Sequence, residues 1–255
     1  MSAAVLRGLG VDLTPIGLAE LVERAALQTR VDRKYVIPLA EVPALLADVA
    51  ERARILEIDG LRSFRYESVY FDTPELTSYR LTAYRRRRRF KVRTRTYLDS
   101  GECWLEVKTQ GSRGSTVKHR VPYLPHHRTD LDPGRQFVDE VLEQERFTTG
   151  DRLPFSPSLR SRYRRSTLFL PGTASRVTID TELTWDDGRH ELSTPALAVI
   201  ETKASGGACE ADRLLWRAGH RPARISKYAT GLAALRPDLP ATPWRRTLRR
   251  HFATE

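Results

Sequence analysis

The segment Arg89-Phe90-Lys91-Val92-Arg93-Thr94-Arg95 puts Phe90 and Val92 on one parity and Lys91, Arg93 and Arg95 on the other. On a β-strand, residues i and i+2 point to the same face. Three cations on one strand face cannot be buried without counter-charge. That face must meet water, carboxylates or a bound anion. Trp104-Leu105-Glu106-Val107-Lys108 repeats the arrangement: Glu106 and Lys108 share one face, backed by Leu105 and Val107. Ala198-Val199-Ile200-Glu201-Thr202-Lys203 repeats it again, and Arg176-x-Thr178-x-Asp180 supplies another mixed face. A surface ion pair would explain one such strand. Two Glu-x-Lys strands beside an Arg-x-Arg strand point instead to a functional surface, of the kind that lines a polar tunnel around a polyanion.

Working outward, residues 86–97, 102–110 and 116–123 read as an antiparallel meander. Its turns are Asp99-Ser100-Gly101 and Gly111-Ser112-Arg113-Gly114. Strands are also expected at 31–37, 64–71, 158–170, 176–184, 189–192 and 197–203, where alternation and β-branched or aromatic residues prevail. Helices are expected at 14–26 (opened by Thr14-Pro15), 40–56, a short stretch ending at Thr82, 132–147, 209–218 and 228–235. The proline- and arginine-rich residues 237–255 read as a loosely ordered, solvated basic end. The expected fold is α+β, with about eight antiparallel strands closed into a barrel and helices packed outside, since closure removes sheet edges. The expected organisation is a helical segment at 1–29, one domain at 30–236 and a basic tail at 237–255.

The chain has 255 residues and a hydrophobic fraction of 40%, ordinary for a soluble domain. Its net charge of +11 favours acidic partners without choosing among nucleic acid, anionic membrane and phosphates. The arginine run at 85–88 leaves a solvated face and a nucleic-acid contact both open. No stretch approaches about 18 uninterrupted apolar residues, so no membrane span is expected. Cys103 and Cys209 follow no metal spacing and form no disulfide framework. The N-terminus lacks a signal-peptide core, so a cytoplasmic location is expected. The cations are overwhelmingly arginine, and the six lysines are Lys34, Lys91, Lys108, Lys118, Lys203 and Lys227. Lysine retained against that bias points to sites wanting a compact charge. The six histidines are scattered and read as surface or core residues, and Trp104, Trp185 and Trp216 as packing residues.

Eight motifs occur in a telling order. They are Asp32-Arg33-Lys34-Tyr35, Ser68-Val69-Tyr70-Phe71-Asp72-Thr73-Pro74, Arg93-Thr94-Arg95, Glu106-Val107-Lys108, Tyr163-Arg164-Arg165-Ser166, Arg176-Val177-Thr178-Ile179-Asp180-Thr181, Glu201-Thr202-Lys203 and Ser226-Lys227-Tyr228. This ordered set resembles the VTC domain, the catalytic domain of vacuolar transporter chaperone polyphosphate polymerases, within the triphosphate tunnel metalloenzyme superfamily. The resemblance spans about residues 30–235. It implies an antiparallel eight-stranded tunnel that binds a nucleoside triphosphate and a divalent metal, Mn²⁺ or Mg²⁺. It assigns phosphate binding to Lys34, Arg93, Arg95, Lys108, Arg165, Arg176 and Lys227, with Lys118 at the tunnel mouth. It assigns the metal to Glu201, with Glu106 as a further acidic candidate and Lys203 assisting on the strand of Glu201. Asp32 stands where family members usually carry glutamate, and neither the SPX domain nor the membrane anchor of eukaryotic relatives is seen.

The expected activity is metal-dependent transfer of the γ-phosphate of ATP onto a polyphosphate chain. The competing readings are hydrolysis in the same site, as an inorganic or nucleoside triphosphatase in which Glu106 or Glu201 orients water, and non-catalytic binding of polyphosphate or RNA. DNA is not expected as a partner, and a membrane partner would have to be encoded elsewhere.

Overall fold

The computed structural model describes residues 13–24, 31–110, 116–147 and 152–252. The N-terminal residues 1–12, the end of the helix expected at 14–26 and the turn at 111–114 lie outside the described residues. Among the described residues eleven strands form the sheet, not eight. They are β1 (Thr14–Ile16), β2 (Val31–Pro38), β3 (Arg54–Leu56), β4 (Phe64–Asp72), β5 (Arg89–Tyr97), β6 (Cys103–Gln110), β7 (Thr116–Tyr123), β8 (Ser156–Leu170), β9 (Ser175–Asp186), β10 (Glu191–Thr194) and β11 (Leu197–Ala204). The hydrogen-bonded path β2-β11-β9-β8-β4-β5-β6-β7 begins at β2 and ends at β7, so the ladders do not show the expected eight-stranded closure. The helices are α1 (Leu18–Arg24), α2 (Val42–Ala47), α3 (Thr77–Ala83), α4 (Arg135–Gln144), α5 (Glu210–Arg217), α6 (Lys227–Leu235) and α7 (Arg245–His251). None of the described helices is long and apolar enough to cross a membrane.

The chain divides into two compact units. The first comprises Met1–Arg65, Tyr163–Leu183 and Ser193–Arg224. Here β11 pairs antiparallel with both β2 and β9, placing Tyr35, Ile200 and Ile179 in one row. These residues join Ile37, Ala198, Val177 and the apolar sides of α2 and α5 in a core. The other parity of the same strands carries Asp32, Lys34, Glu201, Lys203 and Arg176. Alternation therefore sorts charge from core within each strand.

Two expectations fail in this unit. The stretch 40–56 is not one helix: α2 ends at Ala47, and Arg54–Leu56 forms β3. β3 pairs in parallel with Thr14–Ile16, where a helix start was expected. Arg54 holds this join together, donating to the Pro15 carbonyl and to both Glu20 carboxylate oxygens. A three-residue pairing is too short to show periodicity, and long-range pairing overrides local propensity here.

The second unit comprises Tyr66–Arg162, Thr184–Leu192 and Ile225–Glu255. Its meander β4-β5-β6-β7 backs onto a core of Val69, Phe71, Phe90, Val92, Leu105 and Val107, covered by α4 through Val138, Val141 and Leu142. Gly134, just before α4, lets the chain lie on the sheet: a Cβ there would meet Leu105 Cδ2 at 2.3 Å. As far as residue 252 the basic tail is folded into this unit, contrary to the sequence reading. It contains α7, and Trp244 is 4% exposed against Tyr79. Of the arginine run, Arg88 donates to the carbonyls of Glu145 and Arg146 just past α4, and its guanidinium lies 5.2 Å from the Phe147 ring. That residue caps a helix end.

Candidate functional site

In the second unit the register aligns the cations in rows. Lys91 faces Lys108, which faces Lys118; Arg93 faces Glu106, which faces Arg120; Arg95 faces Trp104. Glu106, 1% exposed, is the centre of this face. Arg93 grips its Oε2 from Nε at 2.7 Å and from Nη2 at 2.5 Å, while Nη1 reaches the Tyr70 hydroxyl at 3.3 Å. Lys118 Nζ stands 3.6 Å from Oε1. Burial works to raise the Glu106 pKa, but Arg93 and Arg95, with Lys118, pull it well below the usual carboxylate range. Burial lowers the Lys118 pKa, and the neighbouring Arg120, Arg95 and Arg93 act in the same direction against Glu106.

Lys91, Lys108 and Lys118 lie abreast, and like charges directly opposite one another are destabilising. The Arg95 Nε is buried without a hydrogen-bond partner, although its guanidinium lies 5.9 Å from the Tyr66 ring. An unsatisfied buried donor on a cationic face is a position built for an acceptor. Lys91 also donates to Ser226 Oγ at 3.0 Å, and Ser226 caps α6 by accepting from the Ala229 amide. Lys227 is the first residue of that helix. The structure thus brings Arg93, Arg95, Lys108 and Lys118 onto one face, tied through Lys91 and Ser226 to the helix that begins with Lys227.

In the first unit the register places Glu201 between Lys34 and Thr178, and Lys203 between Asp32 and Arg176. Glu201 Oε1 is 3.3 Å from Lys203 Nζ and 3.9 Å from Lys34 Nζ, and Lys203 lies 3.7 Å from Asp32 Oδ2. Arg165 holds Asp180 through two parallel bonds of 2.6 and 2.8 Å. Burial alone would lower the Arg165 pKa; Asp180 keeps it well above the ordinary value. Of its crowded neighbours, Arg164 pairs with Glu182 at 3.1 Å and Arg162 with the buried Glu67 at 2.7 Å. Thr178 Oγ1, beside Glu201, is buried without a hydrogen-bond partner.

Sequence reasoning missed the residues that hold these strands. Asp212, fully buried on the core side, accepts from Tyr35 Oη and Thr202 Oγ1 at 2.7 Å each and from the Cys209 amide at 2.9 Å. In the second unit the buried Asp72 accepts from Tyr228 Oη at 2.6 Å and from the Ser78 and Tyr79 amides. Burial raises the Asp72 pKa, and these bonds oppose it. Both aspartates were visible in the sequence, but their partners lie up to 179 residues away, as Arg33 does from Asp212.

Among the described residues no group of three or more acidic, histidine or cysteine side chains is placed to hold a metal. A hard divalent cation on phosphate oxygens and water needs only one or two protein carboxylates. Glu201 fits that demand in kind: it is a carboxylate on the charged parity of β11, flanked by Lys34 and Lys203. Glu106 fits it poorly, because one oxygen is chelated by Arg93 and the other faces Lys118.

Residues 29–236 match the VTC domain. No curated protein matches the chain. Among solved structures, a putative adenylyl cyclase from Hippeastrum, described as having a dominant triphosphatase activity, is 15% identical. The match covers 80% of this chain and 95% of that one at a TM-score of 0.50. A putative adenylate cyclase from Bacillus halodurans is 11% identical, with 79% and 96% covered and a TM-score of 0.51. These likenesses concern the fold, and they agree with an antiparallel α+β architecture. Since the family match takes in most of the chain, including both charged faces, the chain belongs to the VTC domain family.

Proposed function

We propose that this protein is a polyphosphate polymerase-type phosphotransferase that moves the γ-phosphate of ATP onto a polyphosphate chain. The observation that carries the proposal is the β5–β7 face, where the register sets Lys91, Arg93, Arg95, Lys108, Lys118 and Arg120 on the parity of Glu106. A triphosphate is the complementary ligand, because phosphoryl transfer rests on positioning and charge neutralisation. Arg93 and Arg95 would grip phosphate oxygens, and Lys91, Lys108 and Lys118 would supply point charges. Lys34, Arg165, Arg176, Lys203 and Lys227 complete the set through the family's motifs. Glu201 would hold a divalent cation, Mn²⁺ or Mg²⁺, which when bound withdraws charge from phosphate oxygens.

The nucleophile is a terminal phosphate oxygen of the acceptor, already anionic, so no protein base is required. It forms a bond to the γ-phosphorus as the β–γ bridging P–O bond breaks. The electron pair leaves on the β-phosphate of ADP.

Hydrolysis at the same residues is the second reading, favoured by the fold shared with the Hippeastrum protein. Incubation of the purified protein with ATP and Mn²⁺ separates the two. Long polymer with ADP supports transfer; orthophosphate without polymer rejects it in favour of a triphosphatase. Polyphosphate binding with no turnover would reject both.

A further inference from the structure

The family match ends at residue 236, yet the chain continues into a docked helix. Two aromatic contacts lead from this C-terminal segment to consecutive residues at the start of α6. Phe252 packs on Trp185 with ring centroids 5.5 Å apart, and Trp185 donates its indole N–H to the Lys227 carbonyl at 2.8 Å. Trp244 packs on Tyr79 at 5.8 Å, and Tyr79 meets Tyr228 edge-on at 6.3 Å. Tyr79 Oη also donates to the Pro240 carbonyl.

Trp185 is wedged in place. It is 1% exposed, and a Cβ on Gly231 would lie 2.2 Å from its Cδ1. A glycine inside a helix is unfavourable relative to alanine. Here it lets the indole lie flat on α6, one turn below Lys227. The same helix start is held from the other side, where Ser226 receives the Lys91 ammonium and where Tyr228 donates to Asp72.

We infer that the segment beyond the family match, through Trp244 and Phe252, is a positioning element that fixes Lys227 for anion binding. The inference rests on the reading of Lys227 as a phosphate ligand. A cation displaced by about 1 Å from its productive place loses much of its effect on a bound phosphate. Trp185 and Phe252 touch no substrate in this scheme; they act through the backbone of residue 227.

The test measures inorganic triphosphate binding to the full chain by calorimetry, for wild type, Phe252→Ala, Trp185→Phe, Lys227→Ala and the double variant Phe252→Ala/Lys227→Ala. Phe252→Ala and Trp185→Phe should each weaken binding about five- to tenfold, a loss in keeping with the cost of misplaced ligands. In the Lys227→Ala background Phe252→Ala should add nothing. Phe252→Leu, which keeps apolar packing, covers the case in which the alanine variant fails to fold; it should lie between wild type and Phe252→Ala. Lower melting temperatures with unchanged triphosphate affinity overturn the inference, as does an equal loss with and without Lys227. Wild-type affinity in Lys227→Ala alone defeats the underlying reading of Lys227, a result distinct from either.

Discussion

The two charged faces differ in how they balance themselves. On β2-β11-β9, with Arg165 from β8, cations meet carboxylates almost one for one: Lys34 and Lys203 stand against Glu201 and Asp32, and Arg165 against Asp180. On β5-β6-β7 Lys91, Arg93, Arg95, Lys108, Lys118 and Arg120 share a parity with Glu106. The first face, which also carries Arg176, sets its carboxylates among the cations. The second carries more cations, the set proposed above to hold an anion. Similar Glu-x-Lys sequences thus serve different ends, decided by what the neighbouring strand places opposite them.

The largest effect that would break this comparison is expected from Arg93→Ala. The substitution removes a phosphate ligand and leaves Glu106 buried with less compensation. The loss in kcat/KM should be about 10²–10³-fold, the usual cost of deleting a preorganised charge-stabilising group. The fold should lose about 3–5 kcal/mol, the cost of breaking a buried pair. Steady-state kinetics with ATP and Mn²⁺ and urea unfolding read the two separately. Wild-type turnover would show that the cationic face is not the anion site.

Glu201→Gln should lower metal-dependent turnover about 10²-fold, in line with the loss of a metal's charge stabilisation. Calorimetry in chelator should find triphosphate binding undiminished, because removing an acid from a basic surface does not weaken its hold on an anion. If binding without metal fell as far as turnover, the division of labour between the faces would be wrong. Next in size is Asp180→Asn, which replaces a charged bidentate partner of Arg165 by an amide. It should cost about 1.5–3 kcal/mol of stability in urea denaturation, and Arg165→Met with Asp180→Asn should recover part of that cost.

The Glu106 carboxylate offers a pH signature. Its pKa is depressed in the folded protein, so its stabilising contribution is present above the ordinary carboxyl value of about 4.3 and is lost as pH falls below it. The stability of wild type relative to Glu106→Gln should therefore be greatest near pH 7 and shrink between about pH 5 and pH 3. A gap that stays constant over that range would mean that Glu106 gains nothing from its cations.

The parts of the fold legible in the sequence were those with period-two charge. Phe90 to Arg95, Leu105 to Lys108 and Ile200 to Lys203 announced strands, and the ladders set their charged residues in common rows. The helix entered through Ser226 was legible from its cap. What escaped was set by partners distant in the chain. Thr14–Ile16 became a strand only because Arg54–Leu56 lies beside it. Trp244 read as part of a solvated tail because nothing local reveals the Tyr79 ring that buries it. The role of Asp212 was hidden because Tyr35 and Thr202, whose hydroxyls it accepts, lie in other elements. At the site, residue types were legible, while the division of acids between the two faces depended on register.

The smallest expected effect concerns Glu182, which sits inside β9 at a φ of 52° while pairing with Arg164 at 3.1 Å. A left-handed backbone is strained for a non-glycine residue, yet the buried parity runs through Glu182 unchanged, from Ile179 and Thr181 to Leu183 and Trp185. The ion pair is partly exposed and contributes at most about 1 kcal/mol. Glutamate at this φ carries a strain of about 1 kcal/mol that glycine would not. Glu182→Ala loses the pair and keeps the strain, so it should destabilise slightly. Glu182→Gly loses the pair but relieves the strain, so its stability should lie close to wild type and about 1 kcal/mol above the alanine variant. Chemical denaturation of the two variants measures that difference. Equal stabilities would show that the left-handed conformation costs nothing at this position.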